Sequence, residues 1–154
     1  MARIRILLVL VLAISACALA TAVSPAVAGR GAEAHMMKIV NDYRAKHGLP
    51  RVRHSRSLRG SAERYAHYMM RNGYFGHQNR IRANSKKYHR LGEILEIQRG
   101  LRARTYHAFR VWLSSSSHRA IILDRNFNRA GAGRVSGRFR GHKSTIWVMH
   151  FGRP

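Results

Sequence analysis

The chain has 154 residues, with 29 Lys and Arg against only six Asp and Glu, so its formal net charge at pH 7 is +23. This length fits one domain with a sizeable core. The single cysteine, Cys17, lies in an apolar N-terminal segment, so the rest of the chain has no thiol. A thiol enzyme and a disulfide-stapled fold are therefore excluded for that part.

The N-terminal segment has the three parts of a secretory signal peptide. Arg3 and Arg5 precede an apolar run over residues 6–20, and Ala26-Val27-Ala28 fits a small-x-small cleavage site. We predict a signal peptide over residues 1–28, a short linker over 29–34, one domain over 35–154, and secretion. The alternative is a lipoprotein anchored through Cys17, because Ile14-Ser15-Ala16-Cys17 resembles a lipoprotein processing box.

Positive charge is spread along the whole domain rather than collected in a tail. Such a field attracts polyanions. For an exported protein, an anionic cell-wall polymer or an anionic lipid surface is favoured over nucleic acid. The alternative is that the arginines are solvated surface charges without a binding role, and that their number reflects genome composition. The oligomeric state is not predicted.

The first two-thirds of the domain predicts helices. Three- and four-residue apolar spacing predicts helices over 32–47 and 57–72, ended by Gly48 and Gly73, with Ser57 able to cap the second. A polar loop follows over 78–90. A third helix is predicted over 105–114 with Thr105 as its cap, and a short one over 118–123 after four serines.

The remaining segments predict strands. Residues 91–97 nearly alternate in polarity before Gly100, and residues 145–151 form the strand with the highest β-propensity. Strands are also expected over 129–135 and 138–142, with a turn at Ser136-Gly137. Helices first and antiparallel strands last predict an α+β domain.

Because acids are scarce, two of them attract attention. Glu93 lies between apolar residues after Gly92, where a carboxylate is either paired or has a raised pKa. Glu96 is expected to face solvent and pair with arginines. His77 follows two aromatic residues after a helix stop, and taken alone it fits an ordinary loop histidine.

Several short elements then occur in an order that resembles the bacterial branch of the CAP superfamily. These are the SCP-domain proteins related to cysteine-rich secretory proteins, venom antigens and plant pathogenesis-related proteins. The resemblance covers roughly residues 35–152. It rests on Asn41/Arg44, Gly48–Pro50, Ala62/Ala66/Met69, Phe75/His77, Gly92/Glu93, Trp112–Leu123, Gly131/Gly133 and Trp147–Gly152.

The resemblance implies a three-layer α-β-α sandwich with a cleft of two histidines and two acids. His77, Glu93 and His118 match three of these positions. Ser115 stands where the second acid usually lies, and Ile94 replaces the usual asparagine after the glutamate. The cleft has therefore lost a charge and an amide, which puts any activity that needs all four residues in doubt.

Three functions remain open on this basis. The first is a secreted binding module whose cleft holds a small apolar or lipid-like ligand, with no required cofactor. The second is a metal-dependent hydrolase of peptide or cell-wall material, because His77 and His118 could ligate zinc beside Glu93. The third is an extracellular polyanion-binding protein that makes no use of the cleft. The other histidines are expected to be scattered, and His150 to be structural.

Overall fold

A computed structural model describes residues 25–83 and 87–154 of the protein. Their elements are α1 (Pro25–Lys46), β1 (Arg53–His54), α2 (Arg56–Asn72), β2 (Arg90–Arg99), α3 (Thr105–Ser114), α4 (Ser116–Leu123), β3 (Arg129–Phe139) and β4 (His142–Arg153). The start of the predicted signal peptide, with Cys17, lies outside the described residues. The predicted cleavage site at Ala28 and the predicted linker lie within α1, and the domain division stays a prediction. None of the described helices is long and apolar enough to cross a membrane.

The four strands form one mixed sheet in the order β1-β3-β4-β2. β3 and β4 form a long antiparallel hairpin, β2 pairs antiparallel with the other side of β4, and two-residue β1 pairs parallel with β3. The hairpin turn lies at Arg140 and Gly141, whose φ angles are 48° and 85°. Two successive positive φ angles suit a two-residue turn between right-twisted strands.

The turn predicted at Ser136-Gly137 is therefore wrong, because β3 runs straight through both residues. Packing does not require a glycine at this position either. A Cβ at Gly137 would lie 3.5 Å from Met70 of α2, in ordinary contact.

Helices cover both faces of the sheet, so the predicted three-layer α-β-α sandwich is confirmed. Alternation along β4 sends Ile146 and Val148 to the layer formed by α2, and Trp147, Met149 and Phe151 to the layer formed by α1, α3 and α4. All five side chains are fully buried. Each face of β4 is thus a separate hydrophobic core.

α2 lies unusually close to β3 because two glycines remove side chains from the contact. A Cβ at Gly131 would lie 2.1 Å from the backbone nitrogen of Arg59, and one at Gly133 would lie 2.2 Å from that of Glu63. Ala62 and Ala66 on α2 are small and fully buried at this contact. This close packing fixes the position of α2, and hence of the loop that follows it.

The caps of α2 and α3 fix where these helices begin and end. Ser55, and not Ser57, caps α2 by accepting a hydrogen bond from the Leu58 amide. Gly73 ends α2 in the left-handed conformation with φ 58°, as predicted. Thr105 is the first residue of α3 and not its cap, since Arg104 occupies the cap position without a side-chain hydrogen bond.

Arg44 locks α1 against the segment between α4 and β3. Its side chain has no solvent exposure and donates to the carbonyl oxygens of Pro50, Ile122, Asp124 and Phe127 at 2.6–3.2 Å. Burial lowers the pKa of the guanidinium, with the nearby Asp124 opposing that change. One cation thus binds a carbonyl oxygen of the segment after α1 and three carbonyl oxygens from the end of α4 and the segment that follows it.

Candidate functional site

Glu93 is the centre of a buried hydrogen-bonded cluster on the α2 side of the sheet. Pairing of β2 with β4 places Glu93 directly opposite His150. One carboxylate oxygen lies 2.9 Å from His150 Nε2 and accepts from the Gln78 side-chain amide at 2.7 Å; the other lies 2.9 Å from His77 Nδ1 and accepts from the Gln78 backbone amide at 3.2 Å. The Glu93 side chain is 5% exposed. We call these four residues the Glu93 cluster.

These hydrogen bonds decide the ionisation of Glu93. Burial alone raises the pKa of a carboxyl, but the hydrogen bonds from His150, Gln78 and His77 outweigh it. The pKa of Glu93 therefore lies below its usual value, and the group is a carboxylate at neutral pH. Of the two sequence expectations, a paired carboxylate is correct and a raised pKa is wrong.

His77 reaches the cluster because the loop after α2 turns back over that helix. The Tyr65 hydroxyl of α2 donates to the Gly76 carbonyl oxygen and holds the loop one residue before His77. Burial, together with the negative charge of Glu93, raises the pKa of Tyr65 to about 12, so this hydroxyl keeps its proton. The His77 side chain remains 57% exposed. It is the part of the cluster that a ligand can touch.

His118 lies beside His77 but outside the hydrogen bonds of Glu93. The two imidazole rings meet edge to face with centroids 5.9 Å apart. Burial, and then the proximity of His77, lower the pKa of His118, so it is neutral at pH 7. Its Nδ1 is buried and forms no hydrogen bond within the described structure.

Ser115 is the N-cap of α4. Its hydroxyl accepts a hydrogen bond from the His118 backbone amide at 3.4 Å and lies 3.0 Å from the Ser117 hydroxyl. The residue therefore sets where α4 begins and so where His118 projects. A direct part for Ser115 in ligand binding stays a prediction.

The arrangement does not fit a zinc site as it stands. Zinc needs three or four ligands, and among the described residues no group of three His, Cys, Asp or Glu is placed to hold a metal. Nδ1 of His77 and both oxygens of Glu93 are already engaged within the Glu93 cluster. The residue at the position of the missing acid is a serine that caps a helix.

A groove of about 880 Å³ opens beside the exposed edge of His77. One stripe of α2 lines one wall, with Arg64, Tyr68 and Arg71 at steps of four and three residues. The segment 77–82 lines the other wall, including Arg80 and Arg82. The rings of Tyr65 and Tyr68 stack at 6.0 Å within the groove.

Sequence reasoning missed Gln78 and undervalued His150. Gln78 bonds Glu93 through both its backbone and its side chain, and its Nε2 also lies 3.2 Å from His150 Nε2. A signal for His150 was available in the alternation of β4, because Trp147, Met149 and Phe151 share one face and leave His150 on the other. No comparable local signal marks Gln78, which lies in a loop.

The expectation that Glu96 faces solvent is wrong. Glu96 is 3% exposed on the other face of the sheet, in register with Trp147. Its Oε2 has no hydrogen-bond partner among the described residues. Burial raises the pKa of Glu96 to about 7, with Arg104 opposing that rise.

Comparison with known proteins gives a family match and several structural likenesses. The model of the CAP family, described as the cysteine-rich secretory protein family, matches residues 37–151. No curated protein matches the chain in sequence.

The structural likenesses include two bacterial proteins and a venom allergen-like protein. An outer surface protein of Borrelia burgdorferi has a TM-score of 0.69 at 18% identity, over 80% of this chain and 93% of that one. An extracellular SCP-domain protein of Bacillus anthracis has a TM-score of 0.67 at 21% identity, over 82% of this chain but only 41% of that one. A venom allergen-like protein of Schistosoma mansoni has a TM-score of 0.59 at 11% identity, over 80% of this chain and 86% of that one. At these identities they support the fold alone.

Proposed function

This chain belongs to the CAP family, and from that premise we propose that it is a secreted binding module whose groove beside His77 holds a small ligand with an apolar, lipid-like part. The related proteins from Borrelia burgdorferi and Bacillus anthracis are described as an outer surface and an extracellular protein. Secretion with cleavage after Ala28 is the matching proposal for this chain, and a lipoprotein anchor at Cys17 is the alternative.

The observation that carries the proposal is the groove of about 880 Å³ next to a hydrogen-bonded Glu93 cluster. Pockets of several hundred cubic ångströms that combine aromatic rings with a few polar groups are typical small-molecule sites. Tyr68 is 49% exposed and Tyr74 is 45% exposed on the lining. Their rings offer an apolar surface to a ligand at little conformational cost.

The Glu93 cluster supports binding better than it supports catalysis. A general base needs a free acceptor near its substrate, whereas the oxygens of Glu93 are occupied by three neighbouring side chains. The cluster instead ties the loop after α2 to the edge strand β2 and the interior strand β4. We propose that its role is to hold one wall of the groove in place.

Titration with a neutral amphiphile tests this function. We expect 1-decanoylglycerol, kept below its aggregation concentration, to bind saturably by calorimetry. Tyr68→Ala should weaken binding about fivefold or more by removing ring contact, on the scale of one buried aromatic contact. Tyr106→Ala is the matched control, because Tyr106 is 62% exposed on α3 in the opposite layer. Absence of saturable binding, or equal loss in both variants, would refute a lipid-like ligand in this groove.

A zinc-dependent hydrolase of peptide or cell-wall material is the second candidate. It is favoured by one observation, the unpartnered Nδ1 of His118 next to the ring of His77. Zinc titration of the wild type and of the double variant His77→Ala/His118→Ala would decide it. This candidate requires stoichiometric zinc binding and hydrolysis that both disappear in the double variant, and it fails if hydrolysis persists there.

A further inference from the structure

We propose that the groove beside His77 recognises a phosphate group, so that a phosphate monoester binds there more tightly than a neutral amphiphile. The inference rests on the proposed function for the place of the site and adds the chemistry of the ligand. It starts from the charges on the lining. Four arginines line the groove, Arg64, Arg71, Arg80 and Arg82, and among the residues described there the lining contains no Asp or Glu.

The arginines come from both walls, so the charge converges on the space between them. Arg64 and Arg71 are two turns apart on the same face of α2. Arg80 and Arg82 come from the loop on the other side. The guanidinium of Arg64 donates to the Arg82 carbonyl oxygen at 3.3 Å and so ties the two walls together.

Two of these cations have no partner to neutralise them. Within the described parts of the chain, the guanidinium groups of Arg71 and Arg80 form no hydrogen bond or ion pair, and both residues are exposed. Elsewhere on the same helix, Arg59 does find a carboxylate, lying 3.8 Å from Glu63. The groove therefore brings together four arginines, and no carboxylate among the described lining residues compensates them.

The neighbouring acid does not cancel this charge. Glu93 is the carboxylate of the Glu93 cluster, which lies behind the groove. Its side chain is 5% exposed and is covered by His77 and Gln78. His77 and Gln78 themselves line the groove, so they separate Glu93 from it. The groove thus offers positive charge and donors beside the tyrosine rings.

Phosphate fits this set better than other anions. A guanidinium donates in a planar fork that matches phosphate and carboxylate alike. A carboxylate has one negative charge and two oxygens in a single plane. A phosphate monoester has up to two negative charges and three terminal oxygens in a tetrahedral arrangement, which can accept from arginines on both walls. Two sources could supply this phosphate group. One is the head group of a phosphorylated lipid, which also has an apolar part, and the other is a soluble phosphate without one.

Calorimetry on the full domain with four probes tests the proposal: decyl phosphate, decanoate, 1-decanoylglycerol and inorganic phosphate. We expect decyl phosphate to bind at least tenfold more tightly than the neutral glyceride and than decanoate, and to weaken as salt rises. The double variant Arg71→Gln/Arg80→Gln should lose at least tenfold in affinity for decyl phosphate. The double variant Arg110→Gln/Arg125→Gln removes the same charge from exposed positions away from the groove and should change affinity less than twofold.

The outcomes separate the two proposals. Equal affinity for all three decyl compounds, unchanged in the groove variant, overturns the phosphate assignment and leaves the proposed function standing. Inorganic phosphate bound as tightly as decyl phosphate, with no binding of the glyceride, supports phosphate recognition from a soluble source and refutes the lipid-like ligand. Equal losses in the two double variants overturn the proposal, since they indicate attraction by the overall charge and hence the polyanion binding predicted from sequence. Thermal unfolding of both variants shows whether they remain folded.

Discussion

Glu93 and His150 meet in the middle of the protein, with Oε2 and Nε2 2.9 Å apart and the histidine fully buried. They lie on neighbouring strands in direct register. Because β4 lies between β3 and β2 in the sheet, this contact connects Glu93, and with it the loop holding His77, to an interior strand. The histidine that pairs with Glu93 in the interior is thus His150, while the ring of His118 meets the ring of His77.

Glu93→Ala should lower the free energy of unfolding by about 2–4 kcal/mol, because it leaves the buried His150 and the half-buried Gln78 without their acceptor. His118→Ala is the control, since the His118 side chain forms no hydrogen bond in the described structure. Its cost should stay below about 1 kcal/mol. Urea unfolding at pH 7 measures both, and similar losses would contradict a central role for Glu93.

The same cluster predicts a dependence on pH. The pKa of Glu93 in the folded protein lies below its ordinary value of 4.5, so the unfolded chain takes up the proton first as pH falls. The stabilisation is therefore present above pH 4.5 and is lost as pH falls through the lowered folded value. We expect the stability difference between wild type and Glu93→Gln to shrink below pH 4.5. A difference that grows with acid would contradict the assignment.

Local sequence signals predict most of the helices, but they predict fewer of the contacts that join those helices to the rest of the fold. Gly73 ends α2 in the left-handed conformation, and α3 ends at Ser114 as expected, because a helix end depends on a few neighbouring residues. The hairpin turn was misplaced by four residues. Ser136-Gly137 has the composition of a turn, but the pairing of β3 with β4 continues beyond it to Phe139 and His142, and that pairing is not a local property of the dipeptide.

The site shows the same division. His77, Glu93 and His118 do lie near one another, as the family resemblance implies. The partner of Glu93 depends on the register of β2 against β4, and a slip of one residue would turn Glu93 to the other face. Register is set by contacts far apart in sequence, so a single segment cannot reveal it. The same limit explains why Glu96 was expected in solvent.

Gly133→Ala should destabilise the protein by about 3 kcal/mol or more, or prevent folding. A Cβ there would lie 2.2 Å from the backbone of α2, and neither the helix nor the central strand can move away cheaply. Gly137→Ala on the same strand is the matched control, because its nearest contact would be 3.5 Å. Its cost should be below about 1 kcal/mol. Thermal unfolding would compare them, and equal stability would contradict close packing of α2 on β3.

Arg44→Lys should cost about 2–4 kcal/mol, although it keeps the charge. The guanidinium serves four carbonyl oxygens around a planar group, and an ammonium cannot reach all of them, so buried carbonyls lose their donors. Arg110→Lys on exposed α3 should change stability by less than about 0.5 kcal/mol. Chemical unfolding checks both. A tolerated Arg44→Lys would show that the four hydrogen bonds contribute little.

Glu96→Gln should make the protein more stable at pH 8 and remove part of its pH dependence. The pKa of Glu96 is about 7 in the folded protein against an ordinary 4.5, so between these values the folded chain holds a proton that the unfolded chain has released. Stability from this group is therefore complete below pH 4.5 and falls as pH rises toward 7, by about 3 kcal/mol at most. Glutamine has no charge to bury, so the variant should lack this fall. Unfolding in urea at pH 5 and pH 8 gives the change for each protein, and subtracting one from the other cancels the remaining titrating groups. Parallel pH profiles for wild type and variant would show that Glu96 ionises normally in the folded protein, with water reaching its unpartnered oxygen.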